Sequence, residues 1–317
     1  MDYDKLIQLE KQSFDIQAEE RIEHGFVPDL RQLKKVNWFY NNVWRDPEFV
    51  KIHWMPRINF IIDRAKERGG RVLEMGCGYG MLSLEMARHG LDVVGIDLSP
   101  KSIEIANRYR VENPFTDTFG SLEYRCGDFT EIDFPPESFD SVVFFRSLHH
   151  VANTTDVISK VHRILKPGGN LLISEPVRGH FNEESARFAA MLRTALPTWE
   201  PFEKKLGKEW TDSLWEEKVA EIFKEYTFEG SHTQSPMDNI TDDAGTIIKA
   251  VERHFVIRTK TYSDAFIDKL IGGLRGKYRY ELARFLKFLD DYMVGHELLP
   301  PTSVEIHAVK EKVRTRE

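Results

Sequence analysis

The chain has 317 residues, of which 41% are hydrophobic and 30% are charged, a composition typical of soluble globular proteins. A net charge of −7 without a long Lys/Arg block argues against nucleic acid or another polyanion as the partner. No apolar run is long enough for a membrane span, the polar first residues do not fit a signal peptide, and the two cysteines give no disulfide framework, so a cytoplasmic protein is expected.

The N-terminal segment, residues 1–55, is predicted to be a helical arm. It ends in an aromatic cluster between Trp38 and Trp54. Such an aromatic-rich arm, together with the cap described below, could form a lid over the site or a surface for a partner.

From Arg71 to Glu175 short β-like runs alternate with helical patterns, which is typical of a parallel sheet with helices on both faces. A Ser99-Pro100 pair predicts the start of one helix, and Lys166-Pro-Gly-Gly169 is predicted to turn the chain into the fifth strand. The predicted strands are Arg71–Met75, Asp92–Asp97, Leu122–Cys126, Asp140–Arg146 and Asn170–Glu175.

The alternation is interrupted over residues 176–240, which we interpret as a helical cap inserted into the core. The pattern then resumes with a helix at Thr241–Arg253 and strands at His254–Thr261 and Ser303–Val309. The predicted core domain thus consists of residues 56–175 and 241–317. Its fold class is α/β, with a doubly wound sheet.

The strongest motif is a glycine-rich turn directly after the first strand, Glu74-Met75-Gly76-Cys77-Gly78-Tyr79-Gly80. Glycines allow positive φ and the close approach of a ligand, and the helix that follows offers free N–H groups to an anionic group. A nicotinamide-dinucleotide turn would have its third glycine five residues after the first, where this chain has Met81. The spacing therefore disfavours a dinucleotide-dependent oxidoreductase.

The next strands also end in side chains suited to a ligand. Asp97, about 20 residues beyond the glycine turn, can accept hydrogen bonds from ribose hydroxyls. Asp128 and Phe129 follow the third strand, where they can contact an adenine. Because the carboxyl ends of parallel strands meet at one edge of the sheet, these contacts are expected to converge.

The fourth strand ends in Arg146-Ser-Leu-His149-His150. Either histidine could be a general base, or the stretch could open a helix with one histidine capping or packing. Arg146 could orient an anionic acceptor, bind the cofactor or form a structural ion pair. No cluster has metal-ligand spacing, so no metal is predicted.

Taken together, these motifs resemble the class I S-adenosylmethionine-dependent methyltransferases, in the small-molecule branch called type 11 or ubiquinone/menaquinone-biosynthesis-like. The motifs are Glu74–Gly80, Gly95-Ile-Asp97, Gly127-Asp-Phe129, Phe139-Asp140, Leu148-His-His-Val151 and Leu165-Lys-Pro-Gly-Gly169. The resemblance implies a seven-stranded, mostly parallel sheet whose last strand is antiparallel. It also implies that S-adenosylmethionine is the cofactor. The expected cofactor-binding residues are Glu74, Gly76, Cys77, Gly78, Gly80, Asp97, Leu98, Asp128, Phe129 and Arg146.

The expected function is in-line transfer of a methyl group to a small-molecule acceptor, most plausibly at a hydroxyl oxygen, with His149 and His150 as the candidate bases. Positioning of the reactants is the main contribution expected of the protein. One alternative is a regulatory or scaffold member of the fold that binds the cofactor without turnover, and a dinucleotide-dependent oxidoreductase is another. The oligomeric state is left open, with a homodimer among the assemblies considered.

Overall fold

The computed structural model describes residues 3–151, 153–230, 234–237 and 244–311, and seven strands in these ranges form one sheet. The strands are β1 (Arg71–Met75), β2 (Asp92–Asp97), β3 (Ser121–Cys126), β4 (Phe139–Phe145), β5 (Leu165–Pro176), β6 (Val256–Ser263) and β7 (Ser303–Val309). Their order across the sheet is β3-β2-β1-β4-β5-β7-β6, and β7 runs antiparallel to both neighbours. The doubly wound, mostly parallel sheet predicted from the sequence is confirmed.

Eleven α-helices lie in the described ranges and surround the sheet. They are α1 (Tyr3–Glu23), α2 (Pro47–His53), α3 (Met55–Arg68), α4 (Met81–Arg88), α5 (Pro100–Val111), α6 (Thr154–Ile164), α7 (Glu183–Ala195), α8 (Phe202–Leu206), α9 (Asp212–Thr227), α10 (Ala244–His254) and α11 (Arg279–Gly295). The predicted start of α5 is confirmed, because the Ser99 hydroxyl accepts the N–H of Ser102 and Pro100 occupies the first turn. None of the described helices is both long and apolar enough to cross a bilayer.

Alternate residues of the central strands pack on opposite faces of the sheet, as the period of two in a β-strand requires. Leu73 and Met75 of β1 lie in the cluster that contains Ile158 of α6, whereas Val72 packs with Ile61 of α3. Helices thus cover both faces of the parallel part, and the strands are apolar on both sides. The chain order reverses between β1 and β4, which opens a crevice at their carboxyl ends.

Several predicted boundaries differ from the structure: β3 begins one residue earlier than predicted, β4 is shifted by one residue and β6 by two, and the largest difference is at β5. Strand β5 begins at Leu165, so the stretch from Lys166 to Gly169 lies within the strand rather than in a separate turn. Backbone groups of this stretch are hydrogen-bonded to Lys310, which follows β7. The Gly168 N–H donates to the Lys310 carbonyl oxygen, and the Lys310 N–H donates to the Gly169 carbonyl oxygen. Helix α10 is first described at Ala244, so its predicted start at Thr241 lies outside the described residues.

A second apolar cluster lies outside the sheet and contains residues of α2, α7, α9 and α11. Residues 265–274 also belong to it, with Phe266, Ile267 and Leu270 fully or almost fully buried. The segment predicted as a cap therefore shares its apolar core with chain that follows β6. The predicted domain boundaries remain a prediction, and the one at residue 240 lies outside the described residues.

Candidate active site

A cavity of about 710 Å³ opens at the carboxyl ends of the central strands, a size within the range of roughly 300–1,000 Å³ that small-molecule sites occupy. We call its two parts the turn end and the aromatic end. The turn end is lined by Glu74, Gly76, Cys77, Gly78, Asp97, Leu98, Asp128 and Phe129. The aromatic end is lined by Trp44, Trp54, Phe145, Arg146, Phe228 and Lys269.

Gly76 and Gly80 of the glycine turn both have positive φ, but they have different neighbours. At Gly76 φ is +75°, and an added Cβ would overlap the side chain of Ser147 on the neighbouring strand end. Gly80 also has positive φ, but it packs against Tyr124 and does not line the cavity. The prediction that Gly80 contacts the cofactor is therefore not supported by its position, because its conformation serves the start of α4.

Glu74 is buried at the end of β1, with 2% of its surface exposed, and it lines the cavity. Its carboxylate accepts a hydrogen bond from the hydroxyl of Ser83. Burial raises the pKa of Glu74 to about 8, and the Ser83 hydrogen bond offsets only part of that rise. A cationic ligand in the cavity would favour the ionised form of this carboxyl group.

Asp97 lies beside the glycine turn at the end of β2. One carboxylate oxygen accepts the Gly78 N–H at 2.7 Å and the other accepts the Ser99 N–H at 2.9 Å. Burial nevertheless raises the pKa of Asp97 above its usual value. The carboxylate is thus held rigidly against the turn, with its remaining lone pairs available to a ligand in the cavity.

Asp128 and Phe129 follow β3 and complete the turn end. The Asp128 carboxylate accepts the N–H and the hydroxyl of Thr130, each at 2.7 Å. Phe129 packs edge-on against Phe144, with ring centroids 6.2 Å apart. The two residues share the cavity with Glu74 and Asp97, as expected for contacts that converge along one edge of the sheet.

His149 lines the same cavity and is paired with Glu175, which is buried behind it. The Glu175 side chain is fully buried and one of its oxygens lies 2.6 Å from His149 Nδ1. Its other oxygen accepts the N–H groups of Ser147 and Leu148 at 2.8 and 2.7 Å. Burial raises the pKa of the Glu175 carboxyl, and these N–H groups offset part of the rise.

This arrangement fixes the tautomer of His149. Because a carboxylate only accepts hydrogen bonds, Nδ1 carries the proton and Nε2 is the basic nitrogen of the neutral ring. His149 lies in a short 3₁₀ helix, Leu148–His150, so the two predicted histidines do open a helical turn. Sequence reasoning did not pair Glu175 with His149, since they come from different strand ends and no local pattern connects them.

His150 faces a different partner, Glu10 of α1. Its Nδ1 lies 2.9 Å from a Glu10 carboxylate oxygen, and its ring centroid lies 4.1 Å from that of His149. Both histidines line the cavity. Helix α1 thus covers the site, the position that a lid would occupy.

Arg146 lies at the aromatic end rather than beside the glycine turn. Its guanidinium carbon is 5.4 Å from the Trp54 ring centroid, and Nη1 donates to the Ser303 hydroxyl at 3.3 Å. The residue has φ of +58°, an uncommon conformation for a non-glycine residue. The predicted role of Arg146 in cofactor binding is therefore less consistent with its position than the alternative, orientation of an acceptor.

Stacked tryptophans form the wall of the aromatic end. The Trp44 and Trp54 rings lie 5.8 Å apart at an interplanar angle of 16°, and Phe145 packs edge-on against Trp54. The buried Nε1 of Trp54 has no hydrogen-bond partner among the described residues.

Neither cysteine is suited to nucleophilic chemistry or to a metal site. Burial raises the pKa of the Cys77 thiol well above its usual value, so the thiol stays protonated. Cys126 is exposed, and both cysteines are free. Within the described ranges, no group of three or more His, Cys, Asp or Glu side chains is placed to hold a metal ion.

Residues 73–173 match a family model described as a methyltransferase domain. The ubiquinone biosynthesis O-methyltransferase of Hahella chejuensis is 36% identical over 150 residues, which are 46% of this chain and 61% of that protein. The protein of the same description from Dechloromonas aromatica is 37% identical over 153 residues, or 47% of this chain and 62% of that protein. The chain thus spans about three fifths of the length of these relatives.

Among solved structures, geranyl diphosphate C-methyltransferase from Streptomyces coelicolor superposes with a TM-score of 0.53 at 14% identity, covering 96% of this chain and 97% of that one. This likeness concerns the fold. The match over residues 73–173 contains the glycine turn, Asp97, Asp128 and His149, which all line the cavity described above. Residues 73–173 therefore match a methyltransferase domain, and this region supplies the acids of the turn end.

Proposed function

We propose that this chain transfers the methyl group of S-adenosylmethionine to a hydroxyl oxygen of a small-molecule acceptor. The observation that carries the proposal is that one cavity is lined both by the glycine turn with its acids and by His149, whose ring is backed by the buried Glu175 carboxyl. A cofactor site and a base would then face each other across a space large enough for two ligands.

The residues of the turn end fit the cofactor chemically. The cofactor carries positive charge and a ribose, and this end presents two buried carboxylates, Glu74 and Asp97, whose pKa values burial raises. No basic side chain is among the hydrogen-bond partners recorded for either carboxylate in the described part of the chain. Asp97 would hold the ribose hydroxyls, Glu74 the positively charged methionine moiety, and Asp128 with Phe129 the adenine.

When bound, S-adenosylmethionine supplies a methyl group on a sulfonium that is already an activated leaving group. The protein's own tasks are therefore to align the acceptor and to receive its proton. His149 Nε2 would take the hydroxyl proton as the oxygen gains the methyl group. Glu175 would stabilise the resulting imidazolium, because its carboxylate already accepts the Nδ1 proton.

The aromatic end supports a flat acceptor with a hydroxyl group. An aromatic ring can stack on the Trp44–Trp54 pair, a contact of roughly 0.5–1.5 kcal/mol beyond area burial. Arg146, which lines this end of the cavity, would donate hydrogen bonds to its polar substituents. The relatives named above are described as O-methyltransferases, which also favours oxygen as the methylated atom.

A labelled-methyl assay tests the proposal with three probes of different chemistry, namely catechol, glucose and ethanolamine. We expect S-adenosylmethionine to bind, and labelled methyl to appear on catechol oxygen in preference to the other two. Labelling of ethanolamine nitrogen alone would contradict the assignment of oxygen. Tight cofactor binding without product from these probes or from broad metabolite extracts would instead support a non-catalytic cofactor-binding protein.

Glu74→Gln should stabilise the ligand-free protein and weaken cofactor binding. In the folded state the pKa of Glu74 is about 8 against an ordinary value of 4.5, so the folded state favours the protonated form. The unfolded chain loses this proton near pH 4.5, whereas the folded state keeps it until about pH 8. The free energy of unfolding therefore falls as the pH rises between these two values. Glutamine removes this cost, on the order of 3 kcal/mol at pH 7, and the melting temperature should rise by several degrees.

The same substitution removes a negative charge from the cofactor site. We expect about tenfold weaker binding of S-adenosylmethionine, measured by calorimetry at pH 8, an effect of 1.4 kcal/mol. Wild-type protein should release protons on binding near pH 7, because a cationic ligand lowers the pKa of Glu74, and Glu74→Gln should release fewer. Equal proton release by both proteins would contradict this role. Glu104→Gln, on the exposed side of α5, is the control.

A further inference from the structure

One face of α1 forms the roof of the cavity. Residues that line the cavity recur along this helix every three or four positions, so they share one face. They are Tyr3, Ile7, Glu10, Phe14, Gln17 and Arg21. The roof also contacts the protein beside the turn end, where the Asp15 carboxylate accepts the Ser99 hydroxyl at 2.5 Å and the Lys101 N–H at 3.1 Å.

Glu10 is the buried charged residue on this face, with 2% of its surface exposed. One carboxylate oxygen lies 2.9 Å from His150 Nδ1, and the other accepts the Met237 N–H at 3.1 Å. Burying a carboxylate is costly unless it is paired and hydrogen-bonded. The Met237 N–H satisfies one of these oxygens, whereas the other, buried without a hydrogen bond among the described residues, lies directly against the His150 ring.

His150 is held between the roof and the catalytic pair. Phe14 of α1 packs edge-on against its ring at 5.2 Å, and the His149 ring lies on its other side. The Ser235 hydroxyl also lies 3.3 Å from its Nδ1. His150 itself lines the cavity, so the orientation of its ring shapes the space between the cofactor side and the base side.

We propose that Glu10 is a positioning residue of the site and acts through His150, so that docking of α1 completes the binding site for the cofactor. This inference rests on the proposed function. It assigns α1 a role in the chemistry of the site beyond that of a packed N-terminal arm. In this proposal the Glu10 carboxylate of α1 sets the orientation of the His150 ring, which follows β4.

A double-mutant cycle on the full chain tests the inference, with calorimetric affinity for S-adenosylhomocysteine as the readout. Glu10→Gln and His150→Gln should each weaken binding about tenfold, and the double variant should also be about tenfold weaker instead of a hundredfold. Glutamine keeps the shape of both side chains in outline. Thermal unfolding and limited proteolysis of α1 establish that each variant is folded with the helix docked.

Ser13→Ala is the matched control on the same helix. The Ser13 hydroxyl donates to the Gln234 carbonyl oxygen at 2.9 Å, so it contributes to docking without contacting His150. Its effect should be below twofold and should multiply with that of His150→Gln. Equal non-additivity for Ser13→Ala would show that helix docking alone matters, and the proposal for Glu10 would be overturned.

The outcomes separate this inference from the proposed function. If wild-type protein fails to bind S-adenosylhomocysteine, the proposed function fails. Suppose that the wild type binds. If the effects of Glu10→Gln and His150→Gln then multiply, or if Glu10→Gln binds like the wild type, the inference about Glu10 fails. The proposed cofactor site is not contradicted by either result. If Glu10→Gln does not fold, Glu10→Asp replaces it. Glu10→Asp is then expected to bind more weakly than the wild type, and adding His150→Gln is expected not to weaken binding further.

Discussion

Replacing His149 with alanine should lower kcat by a factor of about 10²–10⁴, the range that a general base contributes. Affinity for S-adenosylhomocysteine should change by less than about threefold, because the proposed cofactor contacts lie at the turn end. The measurement is steady-state methyl transfer to the best acceptor from the labelled-methyl assay, with calorimetry in parallel. A variant with unchanged kcat would remove His149 from the chemistry.

Two further variants sharpen this test. Glu175→Gln should lower kcat in the same direction, because the imidazolium would lose its negative partner while the side-chain shape is kept. His162→Ala, on α6 beside Phe255, changes a histidine that does not line the cavity and should leave kcat unchanged. Loss of activity in His162→Ala comparable to that in His149→Ala would indicate a general structural effect.

Replacing Asp97 with alanine should weaken binding of S-adenosylhomocysteine by roughly two orders of magnitude. A hydrogen bond to a charged group is worth about 1.5–3 kcal/mol, and the proposed ribose contact uses two hydroxyls. The protein should stay folded, because removing a buried carboxylate whose pKa is raised also removes an unfavourable charge. Calorimetry gives the affinity, and thermal unfolding gives the stability.

Asp92 offers a matched control for Asp97. It lies at the opposite end of the same strand, is exposed, and is far from the cavity. Asp92→Ala should bind S-adenosylhomocysteine like the wild type. If Asp97→Ala binds as tightly as Asp92→Ala, the ribose is held elsewhere.

The sheet and the turn end of the site were predictable from the sequence. Strands β1, β2 and β7 begin and end as predicted, because short apolar runs are bounded by glycine, proline or acidic residues. Side chains at successive strand ends, such as Glu74 and Asp97, converge as a consequence of parallel topology alone. The glycine-rich turn after β1 and the convergence of parallel strand ends were therefore sufficient to predict the turn end of the cavity.

The roof was not predictable in the same way. The cavity-facing positions of α1 include both apolar and polar residues, for example Phe14 between Glu10 and Gln17. Apolar periodicity, the main signal of a packed helix face, is therefore weak in this helix. Only the three-dimensional packing identifies which face turns inward.

The aromatic end and the Glu175–His149 pair were also missed, for a different reason. Phe228 and Lys269 reach the cavity from the irregular segments before and after β6, next to residues of the second apolar cluster. Glu175 and His149 belong to neighbouring strand ends that are separated by α6. Contacts of this long-range kind leave no fixed spacing in the sequence.

The aromatic end of the cavity draws partly on chain outside the methyltransferase match. Glu74, Asp97 and Asp128 lie inside the 73–173 match, whereas Trp44, Trp54 and Lys269 lie outside it. If the proposed function holds, substitutions at these three flanking positions are the ones to vary when redesigning acceptor preference, because they leave the acids of the turn end in place.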